Sequence, residues 1–66
     1  MSYLDRMVDE LNELNTKVTK LNAFFSTTVF AGLSANHQTL LERQYSGMVE
    51  YKLALEQRVD LTRSEL

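Results

Sequence analysis

Gln44, Tyr51 and Arg58 recur at intervals of seven residues, with Arg43 and Lys52 adjacent to the row. An interval of seven is close to two helical turns, so on a helix these side chains share one face. Tyr offers a stacking surface and a hydroxyl, and Arg a planar fork that matches phosphate oxygens. That mixture suits a nucleotide, and it is also enriched at protein–protein hot spots. Two further cations, Lys17 and Lys20, fall late in an earlier helical segment, where a neighbouring chain could add their charge to the row. The plain alternative for Arg58 is an ion pair with a carboxylate such as Glu50 or Glu56 of another helix.

Catalytic chemistry finds little support. The single His37 has no Ser and Asp arranged with it as a triad would need. Gly32 and Gly47 stand alone, so there is no glycine-rich phosphate loop. With one His and no Cys, a metal site is not expected. The carboxylates fall on positions typical of solvated helix faces. The expectation is a non-enzyme that carries no cofactor.

The elements that position these residues follow from apolar spacing. Leu4, Met7, Leu11, Leu14, Val18, Leu21 and Phe25 alternate steps of three and four, the signature of a heptad seam. Val8 and Phe24 widen it. Asn12, Asn15 and Asn22 are poor interior helix residues and are expected to face solvent or an interface. Ser2 is a suitable N-cap, and Glu13 with Lys17 forms a favourable i,i+4 pair. A second row, Leu41, Tyr45, Met48, Leu55 and Val59, marks a second helix opened by Ser34, with His37 where a capping box would place Glu or Gln. Between the two rows, Ser26 to Ser34 breaks the periodicity. Phe30 and Leu33 there predict a compact tip that caps the interhelical core near Phe25 and Leu40, with a short helical turn around Thr27 to Ala31. Gly32 can supply a positive φ. Gly47 either permits close approach of another backbone or a ligand, or faces solvent with no role.

The expected fold is all-α, an antiparallel two-helix hairpin assembled into a homo-oligomeric bundle. Residues 1–66 form a single helical-hairpin domain, with helix 1 at about 3–25, the tip at 26–34 and helix 2 at about 35–62, after which Arg63 to Leu66 should fray. A chain of 66 residues buries only about 60% of its unfolded surface. Small scaffolds rely on disulfides, metals or self-association. Without Cys, self-association is the remaining staple. No apolar run approaches the ~20 residues of a membrane span. The first residues lack the basic and apolar regions of a signal peptide. Net charge is −2, with seven cations scattered among nine acids, so no basic face for double-stranded nucleic acid is expected.

The order Phe30-x-x-Leu33, Leu40-Leu41-x-x-Gln44, Met48-x-x-Tyr51 and Leu55-x-x-Arg58, preceded by Leu21 and Phe24-Phe25, resembles a family of small phage proteins first named from an open reading frame of a crAss-like phage. The resemblance spans about Tyr3 to Leu61. That family looks related to the helical-hairpin anti-CBASS sponges. It therefore implies a homo-oligomer in the cytoplasm of an infected cell that sequesters cyclic di- or trinucleotide immune signals between subunits. No contact residue carries over from the sponges. Gln44, Tyr51, Arg58, Arg43, Lys17 and Lys20 are the ligand-binding candidates from chemistry and placement. The competing expectation is an oligomeric adaptor or inhibitor that binds a host protein through the Tyr51 face.

Overall fold

A computed structural model describes residues 2–66 as helices α1 (Tyr3–Phe24), α2 (Thr28–Ala31) and α3 (Ala35–Glu65). The long helices α1 and α3 pack against each other over a molecule of 48 × 16 × 14 Å. They run antiparallel, because Phe25 meets Tyr45 near the tip while Met7 meets Thr62 at the open end.

Each helix start is specified locally. Ser2 is extended at the N-cap, and its hydroxyl accepts from the Asp5 N–H at 3.1 Å. Asp5 returns the contact to the Ser2 N–H at 3.4 Å, which completes a capping box. Ser34 accepts from the His37 N–H at 3.2 Å, and the reciprocal half is lacking there because His37 occupies the third position. Thr27 does two things at once. Its hydroxyl donates to the Phe24 carbonyl at 2.7 Å and accepts from the Phe30 N–H at 3.2 Å, so it closes α1 and opens α2.

The core is small. Met7, Leu14 and Val18 of α1 bury against Leu55 and Val59 of α3, and among the described residues Leu55 alone is fully enclosed. Leu4, Val8, Leu11, Tyr45, Met48 and Val49 pack half-buried around it. Lys52 falls between Met48 and Leu55 on the seam; it stays half-buried, and its ammonium reaches out to Glu56 at 3.8 Å. An aliphatic stem along apolar surface with a wet head is the ordinary way a Lys occupies such a position.

Toward the tip the aliphatic core gives way to aromatics. Phe30 lies edge-on to Phe24 and Phe25 at centroid distances of 6.1 and 5.0 Å, and Phe25 lies edge-on to Tyr45 at 5.4 Å. Gln38 reinforces this end from α3. Its amide donates to the carbonyls of Phe30 at 2.9 Å and Leu33 at 3.3 Å, satisfying acceptors at the end of α2.

Three local expectations are corrected. Leu40 does not join the tip core; it is 59% exposed, because its position on α3 lies well round the helix from the Leu41–Val59 row. Gly32 closes α2 at φ −83°, so no left-handed residue is needed there. Helix α3 continues through Glu65 instead of ending near Thr62. Nothing in Leu61 to Glu65 breaks a helix, Arg63 suits the carbonyl end of the dipole, and the Ser64 hydroxyl donates to the Leu61 carbonyl at 2.8 Å.

Candidate functional site

Both columns of candidate residues lie along one rim of the hairpin. The Arg58 guanidinium donates to the Tyr3 hydroxyl, joining α3 to α1 at the open end. Counting by sevens from Tyr3 gives Glu10, Lys17 and Phe24 on α1. Counting back from Arg58 gives Tyr51, Gln44 and His37 on α3. Phe25 opposite Tyr45 and Met7 opposite Thr62 set the register, so Glu10 falls nearest the Glu56–Val59 turn, beside Arg58, and Lys17 nearest the Val49–Lys52 turn, beside Tyr51. Lys20 and Arg43 stand further out on the same side.

The candidates are thus brought to one edge but not into a cluster. Gln44 and Arg58 are exposed, and Tyr51 retains 46% of its surface. The Gln44 amide reaches only the Met48 sulfur, at 4.0 Å. Arg58 is held by a phenol and has no ion pair with a carboxylate among the described residues. The one ion pair among the described residues, Lys52–Glu56, lies at the half-exposed edge of the seam; i,i+4 pairs open to solvent contribute little to stability.

Charge is unevenly shared between the two sides. Arg6, Lys17, Lys20, Arg43 and Arg58 belong to this rim by helical position, together with Glu10, Glu13, Glu50 and Glu65. Asp5, Asp9, Glu42, Glu56 and Asp60 fall elsewhere, so a chain of net charge −2 carries a net positive rim. Within the rim acids and cations interleave, Glu10 beside Arg58 and Glu50 beside Lys17.

A third column accompanies the first two. Leu40, Gly47, Ala54 and Leu61 follow at intervals of seven on the outer edge of the rim. Leu40 and Leu61 are 59% and 58% exposed, and a Cβ built at Gly47 meets no atom within 4 Å. Gly47 therefore serves no packing role inside its own chain. The heptad arithmetic that singles out Gln44, Tyr51 and Arg58 also contains this column, but Gly and Ala carry no chemistry to draw attention to it.

With this geometry in hand, the comparison with protein families is decisive on kinship. The family model named Sequestin matches residues 1–61. The chain belongs to the Sequestin family. The name suggests sequestration, a binding role. No match was found among curated proteins or among solved structures. Among the described residues, no helix is long and apolar enough to cross a membrane.

Proposed function

We propose that this Sequestin-family chain is a stoichiometric sponge. It binds a small nucleotide-derived immune signal and withholds it from its receptor without cleaving it. The finer reading is a phage-encoded homo-oligomer that captures cyclic di- or trinucleotides in the cytoplasm of an infected cell. The observation that carries the reading is the rim. Tyr51 supplies an exposed aromatic face, and Arg58, Lys17, Lys20 and Arg43 supply cations with no carboxylate partner among the described residues. A base stacks on the first, and phosphates pair with the second. The family name agrees with capture as the outcome.

A hairpin two helices thick, 16 × 14 Å in section, has no interior in which to enclose a nucleotide. Subunits must supply the walls, which is why the reading includes self-association. Isothermal calorimetry tests it with a panel of cyclic di- and trinucleotides, extended to cyclic nucleotides closed through a pyrophosphate. Saturable binding with intact ligand recovered afterwards is expected. Binding confined to the pyrophosphate compounds retains sequestration and replaces the oligonucleotide class. Arg58→Ala should weaken the cognate ligand at least tenfold, about 1.4 kcal/mol, with the subunit count unchanged.

The exposed Leu40, Leu61 and Tyr51 favour one other reading, an adaptor or inhibitor that docks on a host protein. No heat from any nucleotide in the panel, together with retention of a single host protein that Tyr51→Ala abolishes, would replace the sponge with that adaptor.

A further inference from the structure

The column Leu40, Gly47, Ala54, Leu61 reads the same from either end: large, small, small, large. A helix with that order matches a second copy of itself run in the opposite direction. We propose that two chains pair through this face of α3 about a two-fold axis level with Glu50 and Tyr51, and that the pairing assembles the anion site from both copies. The second half rests on the sponge reading above; the first does not.

The register follows from the column. Leu40 of one chain meets Leu61 of the second copy, and Gly47 meets Ala54. Small residues at the centre let the two backbones approach, while leucines close the ends. An interface that repeats the same contacts twice is the isologous kind that two-fold pairs require. Surface area agrees with a missing partner. The chain exposes 4972 Å². A compact monomer of 7.6 kDa would expose about 4,300 Å². The excess, about 700 Å², approaches the ~800 Å² that each partner contributes to a standard interface. Only five buried side chains among the described residues make the same point from the inside.

This register fixes what gathers at each end of the pair. Arg58 of one chain comes level with Arg43 of the second copy, and Arg6 of the first chain stands within about a turn of them. Gln44 of the second copy faces the same end. Glu50 of both chains remains near the axis, beside the two Tyr51 rings and Lys17, while Glu10 stands near Arg58. Each end therefore collects Arg58 and Arg6 from one chain and Arg43 from the other, with Glu10 the nearest carboxylate on the rim. Such crowding opposes association until an anion enters. A phosphate-bearing ligand would bridge the copies and be recognised only by the pair. Neither chain holds the whole set.

Three measurements test this. Gly47→Leu is the cleanest variant, because its own chain offers nothing within 4 Å of a Cβ at that position. Helical content should be kept, and the mass by sedimentation should halve; an unchanged mass overturns the interface. The protein has no Cys, so single-cysteine variants report the register directly. Oxidising Gly47→Cys mixed with Ala54→Cys should give a disulfide-linked pair that neither gives alone. Like positions in the antiparallel register stand ~10 Å apart along the axis, beyond disulfide reach. Linkage of either variant to itself, or none in the mixture, overturns the register. Inorganic tripolyphosphate should tighten association of the wild-type chain. If the cross-link forms as described and tripolyphosphate leaves association unchanged, the pairing stands and the shared anion site is wrong. Calorimetry on the nucleotide panel then decides the sponge reading by itself.

Discussion

Leu55→Ala probes the one side chain among the described residues that the hairpin encloses completely. Leu and Ala differ little in helix propensity, so α3 itself is not weakened by the change. The loss is packing. Three carbons at about 0.8 kcal/mol each give a transfer term of about 2.4 kcal/mol. A residual cavity adds to it, but a core covered by only two helices can settle inward, which keeps the total in the lower part of the ~2–5 kcal/mol seen for buried Leu truncations. The expectation is about 2.5–3.5 kcal/mol. A 66-residue chain holds roughly 3–10 kcal/mol in all, so much of its stability goes. With a urea slope near ~1 kcal/mol/M for a chain of this size, the midpoint should fall by about 2.5–3.5 M. Far-ultraviolet circular dichroism in urea measures this. Protein concentration must be held fixed, because association adds its own stability. A loss below ~0.5 kcal/mol, the range of surface substitutions, would show that Leu55 is not packed as described.

Leu14→Ala, on the facing helix, should cost about 2–5 kcal/mol by the same assay, and its 7% residual exposure puts it below Leu55 within that range. Gln38→Ala removes donors to the Phe30 and Leu33 carbonyls; it should cost about 1 kcal/mol and speed amide exchange in α2 more than in α1. Thr27→Ala takes away the cap of α2 and should cost about 1 kcal/mol, with loss of α2 protection as its signature in hydrogen exchange. Leu61→Ala touches no core residue of its own chain, so any stability loss should vanish on dilution; a loss independent of concentration would refute its place at a chain–chain contact.

The two seams are legible because burial imposes a period on sequence. Met7, Leu14, Val18, Leu55 and Val59 sit where steps of three and four put them. The caps Ser2 and Ser34 are legible because capping needs only a residue type beside a periodic run. Asp5 as the return partner of Ser2 is equally local, but its shorter side chain falls outside a capping-box pattern defined by Glu or Gln. Gln38 is not legible. Its amide reaches carbonyls five and eight residues back, across a turn whose geometry the sequence does not display. The Arg58–Tyr3 hydrogen bond spans 55 residues and depends on how one helix is rotated against the other. Leu40 is apolar and adjacent to Leu41, which suggests core, yet one residue is about 100° of helix and turns it to solvent. Of the candidate row, periodicity conveys that Gln44, Tyr51 and Arg58 share a face; that Lys17 stands near Tyr51 needs the register.

The aromatic cluster at the tip has a consequence for the order in which the chain assembles. Phe25 and Tyr45 are about twenty residues apart in sequence, whereas Met7 and Thr62 are separated by 55. Closing the longer loop first would cost about 0.9 kcal/mol more in chain entropy, from the logarithmic dependence on loop length. Phe24, Phe25, Phe30 and Tyr45 can therefore meet early, with Thr27 holding the corner, and each later layer closes a loop already shortened by the one before. Folding then runs as a zipper from the corner to the ends, and unfolding runs the other way. In a fluctuation, Tyr3 and Arg58 are the first to part. A ligand or second chain gripping that end would act on the part of the hairpin that opens most often, and would slow unfolding more than it speeds folding.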